Sequence, residues 1–229
     1  MMFKVGVIVQ ARMGSSRLPG KVAKEIVGKP LLAHIIKRLK KSNKSDQIIV
    51  ATSVKDDDQR VIEIAESEEV ATYRGSEDDV LSRYIEAAEK YQLDIVVRVT
   101  GDCPLIDPVT IDELINKYIE SDELDYMRLE GYPRGLDTGI CDLGTLKKVK
   151  KEVTDDPDEE IYREHVTLYI YRNPKQFKIG IKEAPEELKR DYRLCVDEIE
   201  DYELIEEIYN RLYEEGDIID IKDVIDLLD

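Results

Sequence analysis

The stretch Val5-Gly-Val-Ile-Val-Gln-Ala-Arg-Met-Gly-Ser-Ser-Arg-Leu-Pro-Gly-Lys21 begins as a continuous apolar run, and from Gln10 on it carries two glycines, two serines, two arginines and a lysine. An apolar run without polar alternation suits a strand buried on both faces, as in a parallel sheet covered by helices. The loop that follows would then lie at that strand's carboxyl end, where open α/β sheets bind their ligands. Glycines let backbone N–H groups converge on a phosphate, and the three cations neutralise its charge.

The chain beyond this stretch keeps the same rhythm for about half its length. Leu31, Leu32, Ile35, Ile36 and Leu39 recur at helical spacing after Pro30, and Ile48 to Ala51 form a second strand. Val61, Ile62, Ile64 and Ala65 are helical, Val70 to Tyr73 extended, and Val80, Leu81, Tyr84, Ala87, Ala88 and Tyr91 helical again. Ile95 to Val99 is the next strand, and Asp107-Pro108 supplies a cap and first-turn pair for a helix through Ile111, Leu114, Ile115 and Ile119. Strand and helix alternating at this spacing predict βαβ units and a mostly parallel sheet with helices on both faces. After residue 120 the rhythm changes. Strands are expected at Asp125–Met127, Leu136–Cys141 and Phe177–Ile181, with helices at Leu143–Val153, from near Asp158, and through the acidic tail Glu198–Asp229. The expected organisation is one domain over 1-229. Within it, 1-120 is the alternating half that carries the glycine loop, 121-197 an extra β/α excursion, and 198-229 C-terminal helices.

Composition narrows the function. The 229 residues carry 34 Lys and Arg against 51 Asp and Glu, a formal charge of −17, which repels polyanions and argues against a general nucleic-acid binder. With 42% hydrophobic residues the chain can build a core. No apolar run approaches the roughly 18–20 residues a membrane span needs, and Met1 to Gln10 lacks the basic leader and cleavage site of a signal peptide. Cys103, Cys141 and Cys195 are odd in number and far apart, with no zinc spacing, so reduced thiols and a cytoplasmic location are expected.

The loops at 11–29, 52–57, 74–79 and 100–107 are the ones to read for chemistry. The loop after the first strand is not a Walker A motif, because Gly14 and Gly20 enclose five residues and Val22 follows Lys21. The dinucleotide fingerprint G-x-G-x-x-G is also absent, which weakens a dehydrogenase reading.

The string Val9 to Lys21 with Gly28-Lys-Pro-Leu31 resembles sugar cytidylyltransferases, in the branch of spore coat polysaccharide biosynthesis protein F related to the CMP-Kdo and CMP-sialate synthetases. The resemblance continues in order through Tyr73–Tyr84, Arg98–Asp107, Tyr132–Asp137, Arg163–Thr167 and Arg193–Asp197. It implies a Rossmann-like nucleotidyltransferase fold, and transfer of CMP from CTP to a sugar with release of pyrophosphate and with Mg²⁺ as cofactor. It makes 1-120 the nucleotide-binding half and 121-197 the sugar-binding and dimerisation half, with a homodimer built from the 130–175 region expected by the same analogy.

Residue by residue, the resemblance places Arg12 and Lys21 over the triphosphate, with Gln10, Ala11, Gly14, Ser15, Ser16 and Thr100 around the nucleotide. Arg17 reads equally as a ligand or as a solvated side chain. Arg74, Gly75 and Ser76 match the part of the family that faces the nucleobase, while Asp78 and Asp79 read as a helix start and stay outside the site. Asp102 and Asp197 match the metal-binding aspartates. A turn or capping role competes for Asp102 and a helix N-cap for Asp197, where Glu198-Ile199 replaces the family's usual Thr-Pro. For the sugar, and an acidic one in particular, the candidates are Arg134, Asp137, Arg163 and His165. His165 stands open between orienting or deprotonating the attacking hydroxyl and a structural role. His34 reads as packing, and Cys103 as a small packing residue. The rivals are the same fold using another nucleoside triphosphate, and a nucleotide-binding regulatory protein without catalysis.

Overall fold

The computed structural model describes residues 3–121 and 123–229; Met1 and Met2, where the N-terminal apolar pattern begins, and Asp122 lie outside the described residues. The chain runs β1 (Val5–Gln10), a short hairpin of β2 (Glu25–Ile26) and β3 (Lys29–Pro30), α1 (Leu31–Leu39), β4 (Gln47–Ser53), α2 (Gln59–Ser67), β5 (Ala71–Gly75), α3 (Val80–Lys90), β6 (Ile95–Thr100) and α4 (Pro108–Glu120). It continues with β7 (Tyr126–Glu130), β8 (Gly139–Asp142), α5 (Leu143–Glu152), α6 (Glu159–Glu164), α7 (Leu168–Arg172), β9 (Ile179–Glu183), α8 (Ile199–Leu212) and α9 (Ile221–Leu228).

Seven strands form one sheet in the order β5-β4-β1-β6-β8-β7-β9. Strand β1 pairs in parallel with β4 on one side and with β6 on the other. Its continuous apolar run is explained by its two neighbouring layers. Val7 and Val9 pack with the core that includes α1, α2, α4, α8 and α9, and Ile8 with the core that includes α3, α5, α6 and α7. Both faces are covered, so no position on β1 is free to be polar until Gln10, at its carboxyl end.

The C-terminal excursion inserts β8 between β6 and β7, antiparallel to both, while β9 runs parallel to β7 at the sheet's edge. The strand expected from Leu136 starts only at Gly139. The intervening residues form a turn in which Leu136 N–H donates to Pro133 O and Gly135 N–H to the Asp137 carboxylate. Gly135 adopts a positive φ of 104°, and a Cβ there would meet the Leu194 carbonyl carbon at 2.7 Å. The segment Arg193–Val196 ahead of α8 joins no strand ladder and carries one isolated parallel bridge, Arg134 to Arg193. Helix caps follow the expected pattern: the Asp107 carboxylate accepts from Thr110 N–H at 2.8 Å, with Pro108 in the first turn of α4. Asp79 caps α3 in the same way through Ser82 N–H.

Candidate active site

Strands β1 and β6 end side by side, and the backbone there is unusually close. Gly101 N–H donates to Gln10 O at 2.7 Å, and a Cβ on Gly101 would lie 2.7 Å from the Ala11 methyl. Over these ends opens a cavity of about 440 Å³. Its floor holds Gln10, Thr100 and Asp102, one wall is the loop Ala11–Arg17, and the opposite wall carries Arg134, Asp137, His165 and Asp197.

The loop wall is organised around one peptide. Met13 O accepts from both Ser15 N–H and Gly20 N–H at 2.9 Å, which turns Gly14, Ser15 and Ser16 toward the cavity and delivers Lys21 to a one-turn 3-10 helix. Arg12 remains 41% exposed, with only loose approaches to Glu164 (3.7 Å) and Glu77 (3.9 Å). Such exposed pairs contribute little, so its guanidinium is available to an anion.

Lys21 is 9% exposed and its ammonium is saturated. Nζ donates to Asp102 Oδ2 at 2.8 Å, Asp197 Oδ1 at 2.9 Å and Val196 O at 2.7 Å. Three donors meet three acceptors. Burial works against its charge, but Asp102 and then Asp197 outweigh it and raise its pKa. Burial likewise opposes ionisation of Asp197, but Lys21, Arg17 and Arg193 prevail and hold that carboxyl below its ordinary value.

Asp197 reaches this position through the extended segment before α8. Arg134 N–H donates to Tyr192 O, Leu194 N–H to Arg134 O, and Val196 N–H to Asp102 O at 2.8 Å, which sets the two aspartates side by side. The helix N-cap is Glu198, and Asp201 Oδ2 accepts from the backbone N–H of both Asp197 and Glu198. The Asp197 side chain is thereby released from capping. Its Oδ2 meets Arg193 at 3.0 Å, Arg17 at 3.1 Å and Arg134 at 3.5 Å.

Among the described residues no group of three or more His, Cys, Asp or Glu side chains could hold a metal ion. A hard cation that keeps its waters and binds phosphate needs only one or two protein carboxylates. Asp102 and Asp197 already share one cation, Lys21, and Asp102 Oδ1 is approached only by Cys103 Sγ at 3.5 Å. The donor set therefore fits Mg²⁺.

The cavity gathers Gln10, Ala11, Arg12, Gly14, Ser15, Ser16, Lys21, Thr100, Asp102, Arg134, Asp137, His165 and Asp197, all singled out in the sequence. Four other candidates lie elsewhere. Arg74 clamps the end of β4, donating to Ser53 O, Lys55 O and Gln59 Oε1. Gly75 pairs with Ser53 in the sheet, and Ser76 Oγ accepts from Asp79 N–H at the start of α3. The guanidinium of Arg163 is held by Asp79 and Glu159. These residues shape the neighbouring loops, and none lines the cavity.

Arg17, open between ligand and solvated side chain in the sequence, lines the cavity, as does Glu164 beside His165. Arg98 lines it too and has no role assigned from the sequence. Buried Arg83 borders a small adjoining pocket shared with Gln10, Ala11, Arg12 and Glu164. Gln10 Oε1, Arg98 Nε and Arg83 Nε and Nη1 are buried and find no hydrogen-bond partner among the described residues. Such atoms are costly to leave unpaired. For Arg83 the available signal was an arginine inside an otherwise apolar helical face. Cys103 and Cys195 line the wall, but burial pushes both thiols up, so they are packing groups rather than nucleophiles. His34 packs against Tyr209 with Nε2 2.8 Å from Ile26 O, away from the site.

A family profile described as Cytidylyltransferase matches residues 6–222. The spore coat polysaccharide biosynthesis protein SpsF of Bacillus subtilis is 33% identical over 216 residues, 92% of this chain and 88% of that protein. The 3-deoxy-manno-octulosonate cytidylyltransferase of Geobacter metallireducens is 33% identical over 173 residues, 75% of this chain and 62% of that enzyme. The solved structure of a cytidylyltransferase from Leptospira borgpetersenii superposes with a TM-score of 0.88 at 32% identity, covering 99% of this chain and 93% of that one.

Proposed function

The chain belongs to the cytidylyltransferase family, and on that footing we propose that its cavity transfers CMP from CTP to a hydroxyl of a sugar for surface polysaccharide, releasing pyrophosphate. The observation that carries this reading is the convergence of a glycine loop, Arg12 and Lys21 on the same carboxyl edge as Asp102 and Asp197. A sugar oxygen forms the new bond to the α-phosphorus while the bond to the pyrophosphate oxygen breaks. Little covalent chemistry falls to the protein, so positioning and charge neutralisation dominate.

The backbone of Gly14–Ser16 and the Arg12 fork receive the phosphates. Lys21 cannot donate to a phosphate while its three protons are engaged, so nucleotide entry draws its ammonium from the carboxylates onto the triphosphate. Asp102 and Asp197 are then free to hold Mg²⁺, which when bound neutralises phosphate charge. The unpartnered Gln10 Oε1 and Arg83 nitrogens suit the cytosine edge, whose exocyclic amine donates and whose carbonyl accepts. Arg17 at the end of the loop wall and Arg134 on the opposite wall, both more than half exposed, suit an acidic sugar. That His165 lines the same cavity supports it as the group that takes the hydroxyl proton. The free, buried cysteines support action in the reducing cytoplasm, and exposed Ile161 and Tyr171 support a homodimer contact in the 130–175 region.

The test is pyrophosphate release from CTP with a panel of sugars led by 3-deoxy-manno-octulosonate, with and without Mg²⁺. Wild type should release pyrophosphate only with Mg²⁺ and an acceptor. Asp102→Asn should lose activity by at least about 100-fold while keeping its fold. Near-normal turnover in that variant would refute the assignment of Asp102.

A further inference from the structure

Asp58 stands just before α2, in a run of three aspartates that the sequence leaves without a role. It is 2% exposed, and among the described residues no cation pairs with it. An N-cap aspartate ordinarily accepts from its own helix, yet this side chain makes no such bond. It turns the other way. Oδ1 accepts from Met13 N–H at 2.7 Å, and Oδ2 accepts from Ser53 N–H at 3.1 Å and Ser53 Oγ–H at 2.5 Å.

Met13 is the peptide on which the loop after β1 is built, since its carbonyl takes both Ser15 N–H and Gly20 N–H. One carboxylate, 45 residues from Met13 in sequence, thus ties that hub to the end of β4. We propose that Asp58 is a positioning residue for phosphate binding: through Met13 it fixes the backbone that presents Gly14–Ser16 and Lys21 to the triphosphate. This rests on the nucleotide-binding reading above. Burial opposes the charge on Asp58, but the Met13 N–H and the Ser53 groups hold its carboxyl below the ordinary value, so it stays an acceptor on both oxygens at neutral pH. Asparagine would keep one acceptor oxygen and set an NH₂ against the second donor.

Calorimetric binding of CTP and of CMP, with Mg²⁺, to wild type, Asp58→Asn and Ser53→Ala separates positioning from bulk stability, with melting temperatures read alongside. Ser53→Ala removes one bond to the same carboxylate but leaves the Met13 link intact. Asp58→Asn is expected to weaken CTP roughly tenfold or more and CMP far less, because the loop grips the outer phosphates. Ser53→Ala should stay within about threefold of wild type for both ligands even where its melting temperature falls. Equal loss of CTP and CMP in Asp58→Asn, or CTP losses that simply follow melting temperature in both variants, would overturn the role. A wild type that binds no CTP would overturn the nucleotide reading itself, and with it this one.

Discussion

The two walls of the cavity are built in opposite ways. The loop wall, residues 11–21, is one contiguous segment leaving the central strand, and its shape is set by local bonds to Met13 O. The far wall is assembled from three separate stretches, around Arg134, His165 and Asp197, held by long-range backbone bonds such as Val196 N–H to Asp102 O. The first wall binds by backbone and fixed cations; the second brings side chains whose placement depends on the whole C-terminal excursion. A contiguous anion loop is suited to the part of the substrate every family member shares. An assembled wall can change its acceptor without disturbing that loop. Lys21 is the bolt between the walls, rooted in the first and bonded to Asp197 of the second.

Removing that bolt should have the larger effect. Lys21→Met is expected to weaken CTP by about 10–100-fold, the loss of a charge-assisted phosphate contact. It also frees Asp102 Oδ2 and Asp197 Oδ1 from Lys21, so Mn²⁺ alone, followed by electron paramagnetic resonance, should bind the variant more tightly than wild type in the absence of nucleotide. Equal Mn²⁺ binding by the two proteins would break the picture of Lys21 as occupant of the metal position.

A smaller, pH-dependent effect probes the assembled wall. Asp197 is held below its ordinary pKa, so its stabilisation is fully present above the unfolded carboxylate value of about 3.9 and is lost as pH falls through the folded value. Asp197→Asn should therefore melt below wild type at pH 7, and the gap should close below about pH 4. A gap that stays constant to pH 3 would show that Asp197 contributes through packing rather than charge.

The same contrast explains what was legible in the sequence. The central strands declared themselves because burial on both faces leaves an unbroken apolar run, as at Val5–Val9, and Asp107-Pro108 marked α4 by simple capping chemistry. The loop after β1 stands out as a candidate anion site because its cations and glycines are neighbours in sequence, and it lines the cavity. Arg163 and Arg74 were read into the site from resemblance alone, and nothing local reveals that their guanidinium groups are claimed by Asp79 and by the end of β4. Asp58 and Arg83 were missed for the converse reason. The Met13 N–H that Asp58 accepts lies 45 residues away, and an aspartate run looks solvated until the fold buries it; Arg83 is buried by the fold with Nε and Nη1 unpartnered among the described residues. The reversed strand β8 was equally hidden, because its direction is fixed by pairing with β6 and β7 rather than by its own four residues.

The most direct test of the central claim, that this cavity is a Mg²⁺-assisted CTP site, is the melting temperature with CTP or UTP, each with and without Mg²⁺. At about 100 times its Kd a ligand adds roughly 2.7 kcal/mol, which for a chain of this size raises the midpoint by about 5–10 °C. Such a rise is expected for CTP with Mg²⁺, a smaller one for CTP without it, and little for UTP. Equal rises with CTP and UTP, or a CTP response indifferent to Mg²⁺, would contradict it.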